Sequence, residues 1–267
     1  MKRLFTVILA FCFISGAGVF AQAADSVNCW FPPAWKSKGA EARAIAAALS
    51  ENSGITVNPR IADSYPEILQ AFSVGGENLV YVGSFVQAII KARGLGMPLV
   101  QNVDGKEFYS GVLVYPKGED PKDILANHPA EIAFAAGASS GESAAKAATG
   151  GMANIITPNH GASMGAVKAG KAKAAMVKNW WWEGNKEKFP GMAMYEIPGV
   201  SLIKNPDNVL TASRDLPADK AARIKKAAAA SSAVFGKGEM KPFDSSALDF
   251  SLELMKKGGI DPMTYSW

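Results

Sequence analysis

Cysteine is almost missing from this chain of 267 residues: Cys12 and Cys29 are the only two, and histidine occurs only at 128 and 160. So few ligating groups, set far apart, form no metal-binding cluster, and no metal is expected. An excess of one charge is lacking as well, with 28 Lys and Arg against 24 Asp and Glu. The few arginines are scattered, so nucleic acid is not an expected partner. There is no phosphate-binding P-loop and no dinucleotide-binding glycine fingerprint. What is present is a globular composition, 48% hydrophobic and 19% charged, which excludes a disordered tail, a collagen and a polytopic membrane protein.

The first residues read as an export signal. Lys2 and Arg3 precede an apolar run from Leu4 to Ile14, and small residues lead to Ala21-Gln22-Ala23 ahead of Ala24. That is the anatomy of a cleaved secretory signal peptide over residues 1–23. The run is short of the roughly 20 residues a spanning helix needs. Cys12 lies behind Phe11 inside it, without a lipobox. Cleavage leaves Cys29 alone, so no intramolecular disulfide is expected. It also leaves 26 basic residues, 28 less Lys2 and Arg3, against 24 acidic ones. The expectation is an exported, periplasmic, disulfide-free protein.

Strand-like and helix-like segments alternate along the rest. Residues 27–31, 56–61, 78–82, 111–115, 131–135, 174–178 and 208–212 predict strands. Helical patterns fall at 40–50, 65–74, 85–93, 140–149, 162–169 and 218–234, with a last helix over 247–257 stopped by Gly258-Gly259. Such alternation predicts mostly parallel sheets flanked by helices, an α/β fold. Ser64, Ser84 and Ser139 each stand three residues before Glu or Gln and fit a capping box. Ser84 and Ser139 also follow strands directly, where open α/β sheets bind ligands and helix N–H groups favour anions. Capping alone explains any single serine. Several together point to a cleft.

Apparent catalytic motifs do not assemble. Gly137-Ala138-Ser139-Ser140-Gly141 fits a nucleophile elbow, but that chemistry needs an acid and then a histidine downstream. Between Ser139 and His160 the only acid is Glu142, in the capping box, and His128 precedes the serine. Ser143-Ala144-Ala145-Lys146 lacks the companion motifs of the penicillin-recognising enzymes. A binder is expected rather than an enzyme, with no catalytic residue and no cofactor.

Four stretches taken in order resemble the periplasmic phosphonate/phosphate-type solute-binding proteins of ABC importers. They are Ala62-Asp63-Ser64-Tyr65-Pro66-Glu67 with the strand to Val82 and Gly83-Ser84-Phe85; Phe108-Tyr109-Ser110-Gly111; Ser139-Ser140-Gly141-Glu142-Ser143; and Asn205-Pro206-Asp207-Asn208 with Arg214-Asp215-Leu216-Pro217. The resemblance implies a two-lobed periplasmic-binding-protein fold with two crossing hinge strands and an interlobe cleft. It places the crossings near 110–114 and 203–210, lobe one at 24–112 plus 206–267, and lobe two at 113–205. It implies a small oxyanion (phosphate, phosphite or a phosphonate) as ligand, a permease in the inner membrane as partner, and a monomer.

By the same resemblance Tyr65, the hinge Tyr109, and Ser139, Ser140 and Ser143 at the helix start of lobe two face the ligand. Ser84, Ser110, Gly141 and Asn179 join them as candidates. A dianion there requires the Glu142 carboxylate to face away. The family often adds a histidine at this helix start; His160 lies well downstream and is not assigned. The tryptophans keep a second ligand class open. Trp35 and Trp180, if they face each other across the cleft, would box a quaternary amine through cation–π attraction; an extended 180–182 segment would put Trp180 and Trp182 on one face. Lys36, Ser37 and Lys178 nearby favour an anion instead. A secreted enzyme with a site of unfamiliar form is the third reading.

Overall fold

The computed structural model describes residues 25–267, so the expected leader at 1–23 lies outside the described residues. The chain opens with β1 (Ser26–Phe31), a six-residue 3-10 turn (Pro33–Lys38), α1 (Gly39–Ser53), β2 (Thr56–Ile61), α2 (Tyr65–Ser73), β3 (Asn78–Val82), α3 (Ser84–Ala92) and β4 (Gly96–Val103). A short strand β5 (Phe108–Tyr109) leads to β6 (Gly111–Pro116), α4 (Pro121–Asn127), β7 (Ile132–Ala135), a π-helical turn (Ser139–Ser143) running into α5 (Ala144–Ala148), and β8 (Ile155–Thr157). Then come α6 (His160–Lys168), β9 (Ala174–Lys178), α7 (Asn179–Glu183) and β10 (Met192–Tyr195). The return runs through β11 (Asn205–Pro206), β12 (Val209–Ser213), α8 (Ala218–Ala230), α9 (Ser232–Phe235), β13 (Glu239–Pro242) and α10 (Asp249–Lys257).

These strands build two sheets, in the orders β13-β4-β12-β3-β1-β2 and β10-β6-β9-β7-β8, joined by the two-stranded ladder β5–β11. The fold is the two-lobed α/β architecture that the sequence resemblance implies. Tyr109 pairs with Asn205 and Phe108 with Pro206 in the ladder. Residues 111–114, expected at the first crossing, are instead in β6 of the second sheet. Among the described residues no helix is long and apolar enough to cross a membrane.

Neither sheet is mostly parallel, which corrects the reading from strand–helix alternation. β1 is parallel to β2 and β3, and β7 to β8 and β9. However, β12 runs antiparallel to β3 and β4, and β6 antiparallel to β9 and β10. The cause is the route of the chain. A strand arriving from the hinge starts at the cleft, where the parallel strands end: Val209 of β12 lies opposite Val82, and Gly111 of β6 opposite Lys178.

Burial follows the patterns that define these elements. β1 turns Val27, Cys29 and Phe31 inward at period two, and β3 is buried throughout. Burial pushes the Cys29 thiol far above its ordinary range, so it behaves as a small core hydrophobe. The strand β4 escapes a propensity reading because it carries Gly96 and Pro98; Pro98 sits where the pairing with β12 shifts register. Helix α10 packs into both halves: Met255 joins Phe72 and Ile89 under the first sheet, while Phe250 and Leu254 join Phe134 of the second.

One buried amide ties the returning strand to α3. Gln87 donates to the Val209 carbonyl at 2.8 Å and accepts from the Thr211 hydroxyl at 2.7 Å. Gln87→Leu keeps the volume but strands both groups without water. Urea denaturation is expected to show a loss of roughly 1–3 kcal/mol with an unchanged slope.

Candidate functional site

Every parallel strand ends at the cleft, and its carboxyl end delivers the site. From the first sheet come Trp35 after β1, Tyr65 at the start of α2, and Gly83 and Phe85 at the start of α3 behind β3. From the second come Gly137 to Ser140 after β7, His160 after β8, and Lys178 at the end of β9. Tyr109 and Asp207 enter from the hinge. Together they enclose a cavity of about 250 Å³.

The serines do not cap their helices, contrary to the capping-box pattern. The N-cap of α3 is Gly83 and that of the π-helical turn is Ala138, neither with a side-chain cap. Ser64 does occupy the cap position of α2, yet its hydroxyl makes no cap bond, and Glu67 accepts instead from the Asp63 N–H at 2.7 Å. The hydroxyls of Ser84 and Ser139 are thereby left for each other. Ser84 Oγ donates to Ser139 Oγ at 2.9 Å across the two sheets and lies 2.8 Å from the Tyr109 hydroxyl. Burial raises the phenol pKa of both Tyr109 and Tyr65, so each stays a neutral hydroxyl.

Ser140 holds the other side. Its Oγ is 3.2 Å from His160 Nε2, while the Nδ1 of that ring is buried without a partner. Burial, and then the nearby Lys178 ammonium, push the His160 pKa down to about 4, so the ring is neutral at pH 7. The one ammonium on the cavity wall, among the described residues, is Lys178. It pairs with Asp207 at 2.9 Å and lies 4.3 Å from the centre of the Tyr109 ring. Glu142 does face away, taking the Gly137 N–H at 2.7 Å and the Tyr265 hydroxyl at 2.5 Å. No group of three or more His, Cys, Asp or Glu side chains suited to a metal occurs among the described residues.

A family model described as "ABC transporter, phosphonate, periplasmic substrate-binding protein" matches residues 39–233. This chain belongs to that family. Solved structures with the same fold are distant in sequence. PhnD1 of Prochlorococcus marinus, in complex with methylphosphonate, is 13% identical, with a TM-score of 0.66 over 88% of this chain and 98% of its own. The binding component of a Pseudomonas aeruginosa phosphonate transporter is 14% identical, with a TM-score of 0.65 over 88% of each chain. A Xanthomonas citri protein bound to ATP is 12% identical, with a TM-score of 0.69 over 88% of this chain and 97% of its own. No curated protein matches.

In this phosphonate-family binding protein the expected site residues separate into groups. Trp35, Tyr65, Tyr109, Ser139, Ser140 and Lys178 line the cavity together, and Ser84 bonds to two of them. Lys36 is exposed and pairs with Asp63 at 2.7 Å, while Ser37 is exposed beside it. Neither lines the cavity. Ser110 and Asn179 bind each other: the Ser110 N–H donates to Asn179 Oδ1 at 3.1 Å, and the Asn179 N–H to the Ser110 carbonyl at 3.0 Å. Gly141 packs on β7, where a Cβ would stand 2.7 Å from the Ala135 carbonyl, and Ser143 Oγ is buried with no partner.

The extended 180–182 segment is overturned. These residues form the short helix α7, because Asn179 turns the chain back onto Ser110 at the end of β9. Trp182 is buried beside Phe189, Trp181 tilts against His160 at 5.9 Å, and Trp180 donates to the Phe108 carbonyl at 3.1 Å. Trp35 stacks on Phe31 at 4.9 Å. Trp35 and Trp180 line separate cavities on the two sides of the Lys178–Asp207 pair, so they form no box.

Two site residues were missed by sequence reasoning. His160 opens α6 directly behind β8, the same strand-to-helix junction that marks Ser84 and Ser139, but the three-residue β8 was not read as a strand. Asp207 sits inside the Asn205–Asn208 motif, two residues after the hinge partner of Tyr109.

Two outcomes follow from this geometry. The folded His160 pKa of about 4 lies below the ordinary 6.5, so between these values the unfolded chain binds the extra proton. Stability is therefore complete above about pH 6.5 and falls as pH drops toward 4. The slope contributed is at most about 1.4 kcal/mol per pH unit. His160→Gln is expected to remove that component from chemical denaturation measured across pH. Gly137 has φ +69° with the Tyr65 ring 2.6 Å from where a Cβ would sit. Gly137→Ala is expected to cost about 1–3 kcal/mol of stability and to displace Tyr65, read by denaturation and by tyrosine and tryptophan fluorescence.

Proposed function

We propose that this binding protein captures a small phosphorus oxyanion, a phosphonate or its phosphate or phosphite analogues, and presents it to an ABC permease in the inner membrane. The observation carrying this reading is the convergence of neutral donors on one small cavity. Tyr65, Ser139 and Ser140 offer hydroxyls, the first turns of α3 and of the π-helical segment offer N–H groups, and His160 offers a ring nitrogen. Directed donors of this kind match the oxygens of a phosphoryl head. A cavity near 250 Å³ is below the roughly 300–1,000 Å³ of sites for drug-sized ligands, which favours a compact anion over a nucleotide. Methylphosphonate, held by the Prochlorococcus relative, is of that size.

The same proposal takes residues 1–23 as the leader that brings the chain to the periplasm, and the protein as a monomer there. It divides the mature chain into a lobe of 24–110 plus 206–267 and a lobe of 111–205, the expected boundary at 112 moving back because β6 of the second sheet begins at Gly111, with closure by hinge motion about the β5–β11 ladder. The amine reading loses its support because the two rings it needs stand in separate cavities.

Calorimetric titration with methylphosphonate, phosphate and phosphite is the test. Ser139→Ala with Ser140→Ala is expected to weaken the oxyanion that binds by roughly 1–3 kcal/mol. Tyr65→Phe is expected to lower affinity too, while Trp180→Ala changes it less. An oxyanion ligand indifferent to both serines and to the Tyr65 hydroxyl would overturn this site.

A further inference from the structure

The wall between the site and its neighbour is a single ion pair. Lys178, Asp207 and Asn208 line the 250 Å³ site on one side and a second cavity of about 280 Å³ on the other. The second cavity differs in character. It carries Asp104, Glu107 and Lys106, the rings of Tyr81 and Trp180 with the Lys106 ammonium 5.7 Å from the Trp180 ring centre, and a buried oxygen of Glu107 that has no partner. With Asp207 it has three carboxylates against two ammonium groups, and aromatic rings beside them. That is an environment for the cationic end of a ligand whose anionic head sits in the first cavity.

The chain has already supplied that cation. Asp207 is the only carboxylate lining the first cavity among the described residues, and Lys178 Nζ stands 2.9 Å from its oxygen and over the Tyr109 face. The pair is half-buried, with Lys178 21% and Asp207 38% exposed, so solvent screens it only in part. A ligand ammonium entering here meets a like charge and finds its counter-ion engaged. A ligand with only an anionic head meets Lys178 as an attractive charge.

We propose that Lys178 is the specificity-determining residue of this site: its bond to Asp207 selects phosphorus oxyanions without a cationic substituent and excludes aminoalkylphosphonates. This inference rests on the phosphonate reading of the site, and the test separates the two. Methylphosphonate and 2-aminoethylphosphonate are titrated by calorimetry into the full-length mature protein and four variants. The wild type is expected to bind methylphosphonate at least tenfold tighter. Lys178→Met keeps the length of the side chain but frees Asp207, and is expected to reverse that preference by a hundredfold or more in the affinity ratio. Lys178→Arg is expected to retain the wild-type order. In Asp207→Asn the lysine remains, so the amine stays excluded. In the double variant Lys178→Met with Asp207→Asn the gain for the amine is expected to vanish, because its acceptor is gone.

Urea denaturation of each variant accompanies the titrations. If Lys178→Met does not fold, the same comparison is read from Lys178→Gln and from Asp207→Asn. A wild type that binds methylphosphonate but does not discriminate against the amine overturns the role of Lys178 alone. So does a gain in Lys178→Met that survives in the double variant. A wild type that binds neither phosphonate overturns the reading of the site and this inference with it.

Discussion

Beside the Lys178–Asp207 ion pair, the two halves of this molecule meet through a chain of hydroxyl groups, and the site takes much of its character from that contact. Tyr109 stands on the hinge, Ser84 at the head of α3 and Ser139 at the head of the π-helical turn. Ser84 Oγ lies 2.8 Å from the Tyr109 hydroxyl and 2.9 Å from Ser139 Oγ. A hydroxyl both donates and accepts, so such a chain can turn its protons toward an incoming anion without leaving an orphaned charge behind. A salt bridge in the same place would have to be desolvated to form and broken to open. Burial keeps both Tyr109 and Tyr65 protonated, so the donors persist at any physiological pH.

Support for these groups comes from far along the chain. Arg93 on the first half donates to the carbonyls of Pro262 and Tyr265 at 2.8 and 2.6 Å, fixing the last residues beneath α3. From there Tyr265 reaches Glu142, and Trp267 stacks on Tyr65 at 5.6 Å between ring centres. Glu142 is the acid that a dianion at this helix start could least tolerate. Two donors turn its carboxylate into the cavity on the opposite side of the turn. The same tail that holds Glu142 away also braces Tyr65 on the wall of the 250 Å³ cavity.

How much of this was legible depended on the range of each interaction. Strands such as β3 and β9 announce themselves because four of their five residues are apolar, and their bounds were read to the residue. Local pattern also located the serines, but it assigned them a local job, capping, when their hydroxyls act across sheets. Nothing within a few residues of Ser84 encodes its meeting with Ser139, 55 positions away. The tryptophan run failed for a related reason: 180–182 read as extended by continuity with β9, whereas the Asn179–Ser110 bond, 69 positions apart, turns it into a helix. His160 was left unassigned because it lies well downstream of the Ser139 helix start, and the short β8 that brings it to the site was not read as a strand. Asp207 was quoted within a motif, yet its pairing with Lys178 closes only when the hinge brings β11 beside β5.

The charge balance of the cleft connects these parts to transport. His160 is neutral, Glu142 is turned out, and Lys178 is matched by Asp207, so the cavity wall has no uncompensated charge before ligand arrives. Neutral dipoles bind an anion chiefly through geometry, and that geometry exists only while both halves contribute their helix starts. In the hinge motion proposed above, opening about the β5–β11 ladder would separate Ser84 from Ser139 and Tyr65 from Gly137, and the donor set would disperse with them. Under that proposal affinity is coupled to closure, which is the property an importer needs from the component that hands over its substrate.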